Sequence, residues 1–150
     1  MTPTPPSPFV RPPDSPWHAG EYALQARGAM AEKMDHVGRQ VVRTFMTEQH
    51  QLFFAQLPFV VVGSVDAAEA PWASLIAGRP GFASAPDPMT LSILAAPAPN
   101  DPAVAGLGEG APIGVLGIEL HTRRRNRLNG IVHRRPGRLE VEVQIGRAHV

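Results

Sequence analysis

From Pro58 onward the chain is cut into short apolar runs by clusters of Gly, Pro, Asp and Asn, a punctuation that suits strands of roughly 4–8 residues and little else. Phe59–Val65 is rich in β-branched residues and is bounded by Pro58 and a turn at Asp66–Glu69, so it reads as a largely buried strand with Trp72–Ala77 as its hairpin partner. A loop over Gly78–Asp87 leads to a third strand at Thr90–Ala95. Asn100 or Asp101 can cap a short helix that opens at Pro102 and runs to Leu107. Ile113–Leu120 reads as a fourth strand and Arg127–Arg134 as a fifth. Arg135-Pro136-Gly137-Arg138 then turns the chain into a sixth, Leu139–Val143.

The first third has a different pattern. Residues 1–16 are proline-rich and carry few apolar side chains, which predicts an extended, disordered arm. Tyr22–Met34 predicts a helix, with Glu21 suited to the helix dipole, Leu24, Ala31 and Met34 forming an imperfect apolar stripe, and a weak point at Gly28. His36–Arg43 is ambiguous and can continue as a second short helix. Thr47 can cap a further helix with Glu48 in its first turn, and His50, Phe53, Phe54 and Leu57 fall on one face before Pro58 stops it. Helices followed by sequential antiparallel strands predict an α+β domain closed into a small six-stranded barrel.

A chain of 150 residues with 43% hydrophobic content can bury one core, so one domain is expected over 17–144. The absence of cysteine excludes disulfides, thiolate nucleophiles and Cys-ligated metals, and fits a cytoplasmic protein. The N-terminus lacks a basic segment followed by an apolar one, and the longest apolar run is too short to span a bilayer; neither a signal peptide nor a membrane partner is expected.

Charge is distributed less evenly than the net value of +1 suggests. In Ile118–Gly130 an apolar run hands over to four arginines within five residues, Arg123, Arg124, Arg125 and Arg127, and Arg134, Arg135 and Arg138 follow before any acidic residue intervenes. Such a positive face awaits an anion. Strand alternation puts Arg125, Arg127 and Asn129 on one face and Leu128, Gly130 and Val132 on the other. Guanidiniums in pairs suit a phosphate, Asn129 adds a carboxamide, and Gly130 lets a backbone or flat ring come close. Two plainer readings stand beside this one. Arginines next to a turn form a solvated face, and Asn129-Gly130 is also a hairpin signal that would end the strand at Leu128.

Other polar residues suggest little chemistry. His18, His36, His50, His121 and His133 form no i, i+4 pair and no cluster with carboxylates, so no metal site is predicted. His50 sits on an apolar helical face as a core or interface histidine. Trp17 and Trp72 read as packing residues, and Ser64 and Ser74 lack a nucleophile elbow.

The order Pro-Trp-Ala-Ser-Leu (71–75), Gly-Phe (81–82), Thr-Leu (90–91), Pro-Ile-Gly-Val-Leu (112–116) and Thr-Arg-Arg-Arg-Asn-Arg-Leu-Asn-Gly (122–130) resembles the pyridoxamine 5′-phosphate oxidase-like FMN-binding split barrels. Pro-Trp-His-Ala-Gly-Glu (16–21) and Glu-Gln-His-Gln-Leu-Phe-Phe-Ala-Gln-Leu-Pro-Phe (48–59) resemble a bacterial branch also found fused to flavin and iron–sulfur reductase modules. The resemblance covers about Ser15–Val143 and implies FMN held noncovalently at the interface of a homodimer of split barrels. On matching positions it implies that Arg125 and Arg127 contact the phosphate or ribityl chain, with Asn129 and Gly130 beside the cofactor. Ala73, Ser74 and Leu75 would line the isoalloxazine side, with Phe82 and Ser84 on the following loop. No catalytic side chain is assigned, because the flavin supplies the redox chemistry. Dedicated pyridoxamine phosphate oxidases place substrate-binding Arg and His residues in a C-terminal extension with no counterpart here, so the vitamin B6 reaction is not implied.

The functional expectation is an FMN-dependent oxidoreductase domain of unknown substrate. Its alternative is a non-catalytic flavin-binding or assembly module for a partner reductase. A nucleic-acid-binding module is disfavoured, because the cluster lacks interleaved aromatics and the acidic residues elsewhere leave no basic excess. The final residues, Ile145–Val150, match a translation of the common sequencing-adapter series ATC GGA AGA GCA CAC GTC, with the preceding AG completing a CAG codon for Gln144. A non-native tail on a chain whose natural course continues past Val143, into a short Cys-containing segment, is the expectation.

Overall fold

The computed structural model describes residues 13–149, with side chains from Pro13 to Gln144 except that of Val41. The chain divides at Val42 into a helical unit and a sheet unit, with a two-residue strand β1 (Val42–Arg43) at the division.

In the helical unit, His18 caps α1 (Ala19–Arg27) by accepting from the Gly20 and Glu21 amides at 3.0 and 3.3 Å, while its own amide donates to Glu21 at 3.1 Å. This is a capping box built on imidazole. The helix expected over Tyr22–Met34 is broken into two, because Ala29 takes a left-handed φ of 53° that no helix continues through. The ambiguous segment from His36 belongs to α2 (Ala31–Val41). Trp17 donates its indole N–H to Met34 O at 2.9 Å, and its ring lies 2.7 Å from where a Cβ at Gly38 would sit. Of the expected arm, residues 1–12 lie outside the described residues. Its last residues are anchored, however: Ser15 is buried and donates to Asp35 at 2.6 Å, and Asp14 pairs with Arg39.

In the sheet unit, Thr47 Oγ1 accepts from the His50 amide at 3.4 Å and opens α3 (Glu48–Ala55). Seven strands follow: β2 (Phe59–Val65), β3 (Pro71–Ala77), β4 (Ala83–Asp87), β5 (Thr90–Ile93), β6 (Pro112–Glu119), β7 (Arg124–Arg135) and β8 (Arg138–His149). A 3₁₀ helix η1 (Pro102–Gly106) lies between β5 and β6, capped by Asp101, which accepts from the Ala103 amide at 2.9 Å. The strands pair antiparallel in the order β3-β2-β6-β7-β8-β5-β4. Among the described residues the count of six is therefore corrected to seven, besides the two-residue β1. The extra strand is β4, inside the stretch expected to be a loop; its Pro86 reads as a loop signal but lies where the ladder with β5 shifts register, and so interrupts no regular pairing.

Asn129-Gly130 does not turn. β7 runs through it for 12 residues, and a register shift falls between Asn129 and Gly130, where β8 carries Gln144 as an extra residue between Val143 and Ile145. The final strand also passes its expected end at Val143. The backbone of residues 145–149 pairs with Arg125–Asn129, while the side chains of this expected non-native tail, and Val150 itself, lie outside the described residues.

Inward-pointing residues of β2, β6 and β7 build the core, Val60, Val62, Val115, Leu128 and Val132 each being at most 2% exposed. α3 covers the inner face of β6: a Cβ at Gly117 would lie 2.7 Å from Leu57 and Phe53 and 2.9 Å from Phe54. η1 is tied to the same sheet by Ser64, which donates to Ala103 O at 2.8 Å, and by Ser74, which donates to Asp101. No helix among the described residues is long and apolar enough to cross a membrane.

The missing side chain at Gly117 is thus what admits α3. Gly117→Ala is expected to destabilise the sheet unit by about 1–3 kcal/mol in chemical denaturation, through overpacking against three ring and side-chain carbons. Gly108→Ala, with nothing within 4 Å of its added carbon, is expected to stay within about 0.5 kcal/mol of wild type.

Candidate functional site

Period-two alternation turns half the residues of β3, β2, β6 and β7 outward, onto the face opposite the one where α3 meets Gly117. Two rows of register partners cross this face. Ala73, Gly63, Gly114 and Asn129 form one, and Leu75, Val61, Leu116 and Arg127 the next. The first row is nearly bare. A Cβ at Gly63 would meet nothing closer than two carbonyl oxygens at 4.0 Å, and one at Gly114 would lie 3.5 Å from Asn129 Oδ1. A groove of about 240 Å³ follows, lined by Gly63, Ala73, Gly114, Arg127 and Asn129 among others. It shares Gly63, Gly114 and Asn129 with a second groove of about 520 Å³, whose walls include Pro71, Trp72, Pro112, Gly130 and Gln144.

Charge on β7 is sorted by partner. Arg124 Nε lies 3.2 Å from Glu119 Oε2 and its guanidinium carbon 5.6 Å from the Phe53 ring centre. Arg134 donates to Leu107 O at 3.0 Å, while Arg135 and Arg138 both pair with Glu140, at 3.3 and 2.9 Å. Arg123, Arg125 and Arg127 have no hydrogen-bond or ion-pair partner among the described residues, and all three are exposed. Arg123 belongs to the β6–β7 turn, with a φ of 60°, whereas Arg125 and Arg127 stand on the same outward face as Asn129.

The residues singled out in the sequence therefore separate. Ala73, Arg127 and Asn129 line one groove, and Asn129 and Gly130 the other. Leu75 shares the face and is 60% exposed. Ser74 points inward instead, buried and bonded to Asp101, whose carboxyl it and the Ala103 amide hold below the usual carboxylate range. Phe82 is a core side chain, 7% exposed and packed over Gly78, and Ser84 lies on β4, at the opposite end of the sheet order from β3. At Gly130 the side-chain position is taken by the neighbouring strand: a Cβ there would sit 2.1 Å from Glu142 O and 2.8 Å from Val141 Cγ1.

Gly63, Gly114 and Glu119 were not singled out from the sequence. Glycine inside a strand pattern is a signal of close approach, and it was present at both floor positions. His50 is buried in α3, where desolvation lowers its pKa. Trp72 is 41% exposed and donates its indole N–H to Asp66 at 2.8 Å. No group of three or more His, Asp or Glu able to hold a metal occurs among the described residues.

No protein-family model and no curated protein matches this chain. Among solved structures, the chain is similar to a protein of Lactobacillus delbrueckii provisionally assigned as a pyridoxamine 5′-phosphate oxidase, with a TM-score of 0.52 and 15% identity over 72% of this chain and 96% of that one. It is also similar to tagged HupZ of Group A Streptococcus, with a TM-score of 0.52 and 12% identity over 70% of this chain and 100% of that one. A histidine-to-alanine variant of HupZ gives a TM-score of 0.50 at 10% identity, over 69% of this chain and 98% of that one. Identities this low establish a shared fold of helices and antiparallel sheet.

Further along β7, His133 bridges two carboxylates, with Nδ1 2.8 Å from Glu109 and Nε2 2.9 Å from Glu142. Its pKa is raised, first by the hydrogen bond with Glu142 and then by that with Glu109. Both contacts are satisfied together only by imidazolium, which donates from both nitrogens. A folded-state pKa above the unfolded value of about 6.5 makes this contribution full below that pH and lost as pH rises through the raised value. The stability difference between wild type and His133→Gln is therefore expected to be largest at about pH 5–6.5 and to shrink at higher pH, as read from melting temperatures across the range.

Proposed function

We propose that this chain is an FMN-binding domain of the pyridoxamine 5′-phosphate oxidase-like split-barrel class, acting as an oxidoreductase and as a homodimer. The observation that carries the reading is the pair Arg125 and Arg127, two guanidiniums with no partner among the described residues, beside the bare Ala73–Gly63–Gly114–Asn129 floor. A phosphate fits the first feature and a flat ring the second. The fold likeness to the provisionally assigned oxidase supports the same class.

In this reading Arg125 and Arg127 hold the phosphate through charge-assisted hydrogen bonds. Asn129, whose Oδ1 lies 3.5 Å from where a Cβ at Gly114 would sit, offers its carboxamide to the ribityl chain or the ring edge. Ala73 and Leu75 bound the ring side by their outward side chains, and Ser74 and Gly130 contribute backbone only. When bound, the flavin supplies the electron-transfer chemistry, and the chain's own residues bind it, orient it and limit water. Half-buried Val61, Leu116 and Ile118 on the same face, with Val65 and Leu75 51% and 60% exposed, give a second copy an apolar surface to cover. Nucleic acid fits less well, because Arg124, Arg134, Arg135 and Arg138 are already engaged within the chain.

The test is spectroscopic. Purified protein is expected to carry or take up FMN with a visible flavin band, and Arg127→Ala to weaken FMN about 10–100-fold, as expected for loss of a charge-assisted contact worth about 1.5–3 kcal/mol. Protein that is colourless after incubation with excess FMN and removal of the unbound flavin sinks the proposal.

A further inference from the structure

Glu119 is anomalous in its strand. It points inward in line with Ile113, Val115 and Gly117, and is 8% exposed. A buried carboxylate is costly unless it is paired and hydrogen-bonded, and an apolar side chain would fill the position at lower cost. Its partners come from the end of α3, the β6–β7 turn and the start of β7. Gln56, at the end of α3, donates to Oε1 at 2.5 Å, and Thr122, in the β6–β7 turn, donates to Oε2. Arg124 Nε lies 3.2 Å from the same Oε2, with its guanidinium carbon 5.6 Å from the ring centre of Phe53 in α3. Thr122 in turn accepts from the Arg124 amide at 3.4 Å.

This hub sits at a mechanically decisive place. Glu119 and Arg124 are the last register pair before the turn, so Arg125 and Arg127 are the first outward residues past it. Between them Arg123 adopts a φ of 60°, which a non-glycine residue holds only when its surroundings impose it. The turn closes on this pair, so what fixes the pair and its turn fixes the strand at the point from which Arg125 and Arg127 extend. By taking Arg124, Glu119 also removes one positive charge from beside the outward pair.

We infer that Glu119 is a positioning residue for the anion site, locking the β6–β7 turn onto α3 and thereby setting the pose of Arg125 and Arg127. The inference rests on the proposed reading only in naming FMN as the anion. The experiment compares wild type, Glu119→Gln and Thr122→Val; the last removes the hydroxyl's bonds to the Glu119 carboxylate and from the Arg124 amide but keeps the Glu119–Arg124 ion pair, and serves if the first folds poorly. Hydrogen exchange over residues 120–127 is measured without ligand, and dissociation constants are measured for FMN and for riboflavin, which lacks the phosphate. Both variants are expected to exchange faster in the turn by at least about tenfold and to lose about tenfold in FMN affinity with riboflavin affinity unchanged, since only the phosphate needs the arginines posed. Unchanged exchange in both variants overturns the inference whatever flavin does. Equal losses for FMN and riboflavin also overturn it, marking a general structural effect. If wild type binds neither flavin, the FMN reading fails by itself; inorganic pyrophosphate then serves as the anion probe, and equal affinity in wild type and variants overturns the inference.

Discussion

The sheet unit depends on the phase of one strand. β7 gives Leu128 and Val132 to the core and Arg125, Arg127 and Asn129 to the opposite face, so a slip of one residue would bury guanidiniums and expose leucine. The phase is pinned where the neighbouring backbone comes closest: the space a side chain at Gly130 would need holds the Glu142 carbonyl, and the extra residue on β8 falls beside that point. A bulge in this position can be accommodated only against glycine. Gly130, read as admitting a backbone or a flat ring, admits the backbone of the neighbouring strand, and the outward arginines inherit their orientation from it.

Electrostatic sorting does the rest. Seven arginines between His121 and Arg138 would repel one another if all faced solvent, yet four are drawn to Glu119, Glu140 and the Leu107 carbonyl. Those carboxylates lie outside the basic stretch or just past its end, which is why the run looked uniformly positive along the chain. With the flanking guanidiniums held within the chain, those of Arg125 and Arg127, with Arg123 in the turn, are the ones open to a ligand among the described residues, suited to one small anion better than to a long polyanion.

The alternating face of β7, the Thr47 cap, the α3 stripe and the strand at Phe59–Val65 were all legible in the sequence, because each is a local pattern of period or cap. What was not legible needed partners distant in the chain. The directions of Ser74 and Phe82 depend on which side η1 and α3 cover, and the bare floor exists only because β2 and β6 align Gly63 with Gly114. β4 was hidden by its proline, and the break at Ala29 by a residue that normally favours helix. Glu119 escaped notice because a single acidic residue in an apolar strand carries no signal until its three partners are in place.

The outward face is therefore asymmetric, and the asymmetry bears on how a ligand would lie. Row by row toward Pro71 and Pro112 it passes from Arg125 and Ile118, through Arg127 and Leu116, to the glycine floor, and then to the groove walled by Trp72 and Gln144. Charge is concentrated at one end and open space at the other. The floor offers backbone and a methyl group rather than branched side chains, which favours a planar body over a bulky one, while the charged end favours a compact anion. A ligand with both parts would be oriented before any specific hydrogen bond formed, because reversing it would bring its charge against the apolar groove and its flat body against the guanidiniums.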